Sequence, residues 1–526
     1  MEEKRKEIFA YHTSLNDGVS GSCHSINCVF PSGVTKTYLT DVGLFMGDDL
    51  KTRDEESDEL NETFPFKVDK IDGVFITHVH MDHCGRLPLL CKLGYNKPIY
   101  CTKASAALLV HGLADCCRLL AARDKELYEM VDVETALSLI KVVDFNETFS
   151  LFDDNESSVQ ATFFMNGHLL GAAMILIQLS HRGSETVNLF YTGDYKKESL
   201  FFKSDKLPSW VRNLPLTFIC ESTYGSTDIT DVVEKFEKDI RAAVLKSAKI
   251  VIPCIALGRT EVVLYHLYKM QQLRLLPDDI PINLVGRLAT SYFNIYHNRS
   301  DLGLDETKKV VPENFHIIRK DENIYQNESG ASITLVTPGM MTGGNSLRYA
   351  FECVSASPRN LVEFTSYLPE GGIAEELLNT PKNCELMLRS GLHCSVIGDV
   401  KQTSEFSSHA KRDELLELLA EFKNIKCLLI THGSPEVRKI FADSVRNNPD
   451  LTIENVEISS RDYVYRIDST GISKKFPSKI DQLSYDNTNG QLHVHALDAN
   501  NSHKRNYKHY NHEATQKRPH YKKHKY

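Results

Sequence analysis

FITHVHMDHCGRLP, residues 75–88, runs from apolar residues straight into His78, His80, Asp82 and His83. A buried core does not hold so many polar groups without partners. His78 and His80 are two apart, so on an extended or turning backbone they point the same way. Asp82 and His83 follow at once, as they do where a chain folds back over the same point. Imidazole and carboxylate without thiolate suit Zn²⁺ or another borderline divalent ion. The competing reading is a solvated histidine cluster; HxHxDH directly after DGVFIT disfavours it, because neutral imidazole is the commonest biological metal ligand. A two-metal site needs more donors than this stretch supplies, so the rest lie downstream.

They fall where the pattern of this stretch recurs, a short apolar strand closed by a metal-type or acid/base residue. TYLTDVG ends at Asp41, and ATFFMNGHLLGAA places His168 at a Gly-flanked turn between two strands. VNLFYTGDY leads to Asp194, LTFICESTYG to Glu221 and KCLLITHGSPE to His432. Such apolar runs read as sheet-core strands, and HAKRDELLELLAEF carries Leu415, Leu416, Leu419 and Phe422 at helical spacing. The expectation is a layered α/β protein with its polar groups on one rim. His78, His80 and His168 can hold one zinc ion and Asp82, His83 and His432 a second, with Asp194 bridging. Two such ions can share a hydroxide and clamp both oxygens of an in-line phosphoryl displacement. Asp41 is expected behind the ligands, accepting an imidazole N–H and fixing its tautomer.

At 526 residues the chain is too long for one core. Its 41% hydrophobic and 25% charged content is that of an ordinary soluble protein. No apolar run approaches the ~18 residues of a membrane span, and MEEKRKEIF has no apolar leader region, so neither membrane nor secretion is expected. Thirteen cysteines without CxxC pairs read as reduced thiols of a cytoplasmic protein. The net charge of −9 argues against nucleic acid as a partner. Residues 501–526 pull the other way: Lys504, Arg505, Lys508, Lys517, Arg518, Lys522, Lys523 and Lys525 stand against one acid, Glu513. Such a tail is expected to be disordered and to serve either for phosphate affinity or only for solubility.

THVHMDH, GHLLGAA and YTGDY resemble the signature segments of the metallo-β-lactamase superfamily, which implies an αββα sandwich with a dinuclear zinc site. ICESTYG, IPCIALGRTE, VTPGMMTGG and FSSHAKRDELL resemble its β-CASP nucleases, which include the pre-mRNA 3′-end-processing endonuclease and ribonuclease J. The resemblance implies a second α/β domain inserted in the sandwich. The divisions expected are a sandwich of 1–224 and 403–470, an insertion of 225–402, and a C-terminal extension of 471–526. It also implies that Glu221 stabilises a catalytic histidine, His409, the general acid that protonates the departing 3′-oxygen, with Asp82 serving catalysis through the metal. His432 stands where RNA-directed members of the family carry His and DNA-directed ones Val. The insertion departs from the family pattern at Glu261–Val262, where members carry Gln-Glu, at VGRLATSY (285–292) and at TSYLPEGG (365–372).

The function expected is zinc-dependent hydrolysis of single-stranded RNA, as endonuclease, 5′→3′ exonuclease or both. Arg259 and the backbone of Gly339, Gly343 and Gly344 are candidates to hold phosphates. A homodimer is kept as a candidate assembly. The rival classes are a DNA nuclease, a small-molecule hydrolase of the same fold, and a catalytically silent scaffold. None of the ligand positions is lost, which disfavours the scaffold.

Overall fold

The computed structural model describes residues 7–46, 60–122, 125–228, 235–318, 330–342, 344–368, 371–388, 391–403, 405–478, 483–486 and 491–494. Successive residues of a strand face opposite ways, and here both faces are apolar. Phe163, Ile175, Ile177 and Leu189 enter one core cluster, while their neighbours Phe164, Met174, Leu176 and Phe190 enter another. A sheet apolar on both faces has to be covered on both. This one has seven strands, in the order Asn455–Ile458, Ile425–Ile430, Leu216–Cys220, Val187–Tyr191, Ala173–His181, Ser157–Met165 and Thr148–Asp153.

Its inner face meets a sheet of eight, in the order Gly471–Pro477, Tyr463–Asp468, Phe9–Ser14, His24–Val29, Thr35–Thr40, Gly73–Phe75, Ile99–Thr102 and Ile140–Val143. Ala10, Ile26, Tyr38, Phe75 and Tyr465 of that sheet complete the shared core. Helices close both outer faces. Leu415, Leu418 and Leu419 of helix Arg412–Ala420 and Phe441 of Pro435–Arg446 cover the seven-stranded sheet. Leu108, Leu109 and Leu113 of helix Lys103–Ala121 cover the other, against Leu39, Val74 and Ile99. By length and composition alone Lys103–Ala121 matches a membrane span; its apolar face is spent on this core. The result is an αββα sandwich.

A third sheet draws all its strands from between Lys249 and Gln402: Phe315–Ile318, Ile282–Val285, Ser332–Val336, Lys249–Pro253, Leu361–Phe364 and Asp399–Gln402, every pair parallel. Parallel sheets are buried on both faces; Ile250 and Ile252 enter one cluster and Val251 the other. It is the inserted α/β domain. Helix Arg287–Asn298 of the insertion lies on Lys103–Ala121 so closely that a Cβ on Gly112 would stand 2.6 Å from the Tyr292 hydroxyl oxygen.

Two expectations need adjusting. Gly471–Pro477 pairs antiparallel with Tyr463–Asp468 and edges the large sheet, so the sandwich continues past residue 470 and its compact unit ends at Ser478. His409 does not begin a helix; it precedes Arg412–Ala420 in a turn. Beyond Ser478 the described part is an antiparallel pair, Leu483–Asp486 with Gln491–Val494; the basic segment 501–526 lies outside the described residues.

Candidate metal centre

The sandwich sets its chemistry at the carboxyl ends of parallel strands. Thr35–Thr40 and Gly73–Phe75 are parallel neighbours and lead into Asp41 and His78. Val187–Tyr191, Leu216–Cys220 and Ile425–Ile430 run parallel and lead into Asp194, Glu221 and His432. The turn from Ser157–Met165 to Ala173–His181 brings in His168, and the single helical turn Met81–Cys84 folds Asp82 and His83 back over His78 and His80. Asp41 (φ 63°) and His432 (φ 47°) adopt left-handed backbone, which costs a non-glycine residue about 1–2 kcal/mol and is held here by the surrounding strands. Gly43 allows the closest approach: a Cβ there would lie 1.6 Å from the Asp82 carbonyl oxygen.

The donors form two main sets, which a third grouping of Asp194, Glu221 and His432 overlaps. His78, His80, His168 and Asp194 present donor atoms within 4.8 Å of one another, and so do Asp82, His83 and His432. Asp194 divides its two oxygens between them. Oδ2 lies 3.5 Å from His78 Nε2 and 3.9 Å from His168 Nε2, while Oδ1 lies 3.3 Å from His83 Nε2 and 3.5 Å from His432 Nε2. Groups behind the rings fix their orientation. Asp41 Oδ2 is 2.8 Å from His83 Nδ1, while its carboxylate also accepts the Thr77 N–H and hydroxyl, each at 2.8 Å. His168 Nδ1 donates to the Ser408 carbonyl at 2.8 Å. Thr223, which sequence reasoning missed, joins His432 Nδ1 (2.9 Å) to Glu221 (2.6 Å). Its one sequence signal is its place two residues after Glu221.

The fit to a cation rests on this chemistry. Burial drives His78 and His168 well below the ordinary imidazole range, into the neutral form a ligand needs. Burial also opposes charge on His83, yet Asp194, Asp41 and Asp82 outweigh it and push that ring well above its usual range. The site therefore favours positive charge among those carboxylates. Asp194 is held well below the carboxylate range against its burial, chiefly by His432 and His83. His80 Nε2 and Asp194 Oδ1 are buried and make no hydrogen bond among the described residues.

Two further groups flank the donors. His409 Nε2 is 3.8 Å from Asp194 Oδ2, and its Nδ1 is 3.2 Å from Glu221 Oε2. Glu221, 1% exposed, also accepts the Tyr195 N–H at 2.5 Å. Burial opposes charge on His409; Glu221 and Asp194 reverse that and raise its pKa. Tyr224 packs its ring edge-on to His409 at 6.0 Å.

The phosphate candidates belong to neither donor set. Arg259 begins helix Arg259–Gln272, and burial lowers its guanidinium to about 10, with Cys254 and Tyr224 opposing. Gly339 is explained by packing, since a Cβ there would meet the Ile255 nitrogen at 2.7 Å. Gly344 starts a helix at φ 65° with open space around it, and Gly343 lies outside the described residues.

An αββα sandwich with a buried His/Asp cluster at its strand ends, interrupted by a second α/β domain, defines a metal-dependent hydrolase scaffold. Family models agree along the chain: the metallo-beta-lactamase superfamily at residues 22–120, the Beta-Casp domain at 260–377, and a Zn-dependent metallo-hydrolase RNA specificity domain at 395–457. The chain thus carries a metallo-β-lactamase, a Beta-Casp and an RNA specificity domain, the set found in β-CASP nucleases. It is 27% identical over 429 residues to a ribonuclease of Thermus thermophilus, covering 80% of this chain and 91% of that protein. It is 29% identical over 453 residues to transcription termination factor FttA of Methanosarcina mazei (81% and 68%). It is 28% identical over 439 residues to Integrator complex subunit 11 of Danio rerio (80% and 69%).

Proposed function

We propose that this protein is a zinc-dependent ribonuclease that hydrolyses phosphodiester bonds of single-stranded RNA. One observation carries the proposal: two donor sets meet at the two oxygens of Asp194, and His409, held by Glu221, faces them. His78, His80 and His168 would hold one zinc ion and Asp82, His83 and His432 the other, with Asp194 between. When bound, two such ions bring the pKa of a water toward neutrality and offset charge on a phosphoryl group.

The remaining work falls to the chain's own residues. Asp41 holds His83 from Nδ1 and leaves Nε2 toward the donors. Glu221 takes His409 at Nδ1, which keeps a proton on that ring and turns Nε2 toward Asp194. A proton at that nitrogen is placed to reach a leaving 3′-oxygen, a step worth ~10²–10⁴ in rate. RNA as substrate is supported by the RNA specificity model over 395–457, by the ribonuclease relative, and by His432 at the position the family resemblance links to RNA. Thirteen cysteines, none of them in a disulfide, suit work in the reducing cytoplasm.

The test is digestion of labelled RNA and DNA oligomers of one sequence, beside nitrocefin, by the zinc-loaded protein. Cleavage of RNA alone is expected. Preference for DNA, or turnover of nitrocefin without RNA cleavage, would overturn the assignment.

A further inference from the structure

Behind the donors the two large sheets leave a cavity of about 20 Å³. Its lining includes His83, Asp194 and His432, together with His24, Thr40 and Tyr191, which belong to neither donor set. His24, Thr40 and Tyr191 are 4%, 1% and 2% exposed. His24 Nδ1, Thr40 Oγ1 and the Tyr191 hydroxyl oxygen make no hydrogen bond among the described residues. Buried polar atoms are normally satisfied, by protein or by ordered water. Three around one cavity call for a common partner.

Volume and charge agree on what that partner is. A cavity needs roughly 10–15 Å³ to admit a water molecule, and a buried water makes ~3 hydrogen bonds. The space takes one water, and these three atoms, with Asp194 Oδ1 on the donor side, are free to bind it. His12, stacked on His24 at 5.4 Å, is held at about 3 by burial and stays neutral, so the charged lining is confined to the donor side, where Asp41, His83, Asp194 and Glu221 stand.

We propose that this cavity is a structural-water site, and that its water, held by His24, Thr40 and Tyr191, braces the metal donors from inside the sandwich. Thr40 ends its strand next to Asp41, which grips His83. Tyr191 ends its strand three residues before Asp194. One water bonded to both pins the carboxyl ends of two strands in different sheets, so His24, Thr40 and Tyr191 are positioning residues for donors they do not themselves join. The bracing role rests on the metal-centre reading; the water site stands on the cavity alone.

A crystal structure of the zinc-loaded protein, refined to where ordered waters are visible, decides the site. One water within hydrogen-bond distance of all three atoms is expected. An empty cavity, a metal ion in it, or side chains turned to bond one another would overturn it. Thr40→Val and Tyr191→Phe each remove one bond with little change of shape, and each should weaken zinc retention against a chelator by roughly 10–100-fold, as loss of a group behind a ligand does. Thr40→Ser should restore it, which a merely disturbed fold would not show. Wild-type retention in both variants would overturn the bracing role. A wild type that binds no zinc would instead sink the metal-centre reading, with the diffraction result still deciding the water.

Discussion

Replacing Glu221 by Gln should move the alkaline limb of the pH–rate profile without emptying the metal centre. Glu221 Oε2 is 3.2 Å from His409 Nδ1, and its carboxylate also accepts Tyr195 N–H and both donors of Thr223. A hydrogen bond to a charged group is worth about 1.5–3 kcal/mol, and 1.36 kcal/mol is one pK unit, so losing it should lower the His409 pKa by about 1–2 units. His409 is raised in the native protein, burial being outweighed by Glu221 and then Asp194. An acid catalyst works while protonated, so activity falls as pH rises through its pKa. In Glu221→Gln that fall should begin about 1–2 pH units lower, and at neutral pH kcat should drop accordingly. The assay is kcat/KM against pH on an RNA oligomer, with zinc content and melting temperature measured in parallel. A nitrophenyl phosphodiester, whose leaving group needs no proton, should lose much of the difference between wild type and variant. An alkaline limb that stays in place while zinc is retained would refute the pairing of Glu221 with His409.

The protein purified without chelator should carry about two zinc ions per chain, and Asp82→Ala, at a partly exposed donor, should lower that content and abolish activity with an unchanged circular dichroism spectrum. Gly43→Ala should cost at least the ~1–3 kcal/mol of an overpacked site, because its Cβ meets backbone, the Asp82 carbonyl, at 1.6 Å; a lowered melting temperature together with weakened zinc retention is the readout. Burial raises Glu261 from 4.5 to about 8, and neither of its carboxylate oxygens has a hydrogen-bond partner among the described side chains. A carboxyl raised on folding binds its proton more tightly in the native state, so its contribution is complete below about pH 4.5 and lost as pH rises toward 8. Glu261→Gln should therefore flatten the fall in melting temperature between pH 5 and 8; an unchanged slope would show that Glu261 is not its source.

What is legible in the sequence follows from how much chemistry restricts residue choice. Imidazole and carboxylate at strand ends have few other uses, so His78, His80, Asp82, His83, His168, Asp194 and His432 can be gathered from 355 residues of chain (78 to 432) without any geometry. Thr223 and Tyr224 cannot. Threonine and tyrosine are ordinary anywhere, and what sets Thr223 apart is a bond to His432, 209 positions away. Gly339 has a packing reason to be glycine, a close pass of the Cys254–Ile255 backbone, that a GMMTGG run does not reveal. Gly471–Pro477 falls outside the expected sandwich, whose bounds come from the family resemblance alone. The strand buries Gly471, half-buries Ile472 and Phe476 and exposes Ser473, Lys474 and Lys475, and it is an edge strand, where lysine guards against further pairing.

The two donor sets also differ in how the chain completes them, and this ties the insertion to the chemistry. His78, His80, His168 and Asp194 all precede the third sheet in sequence. The other set needs His432, on the strand the chain enters only after returning from the insertion. The same returning segment supplies the Ser408 carbonyl that holds His168 and the His409 that faces Asp194. His432, His409 and the Ser408 carbonyl are thus delivered downstream of Gln402, by a stretch that follows the last strand of the inserted sheet and meets Glu221, Asp82 and His83 from upstream. Drift in the insertion's own motifs is then compatible with an intact centre. The sandwich fixes where the donors converge, and the insertion has only to return the chain to the strand beside Leu216–Cys220 in the correct register. Its remaining surface is free to diverge with substrate.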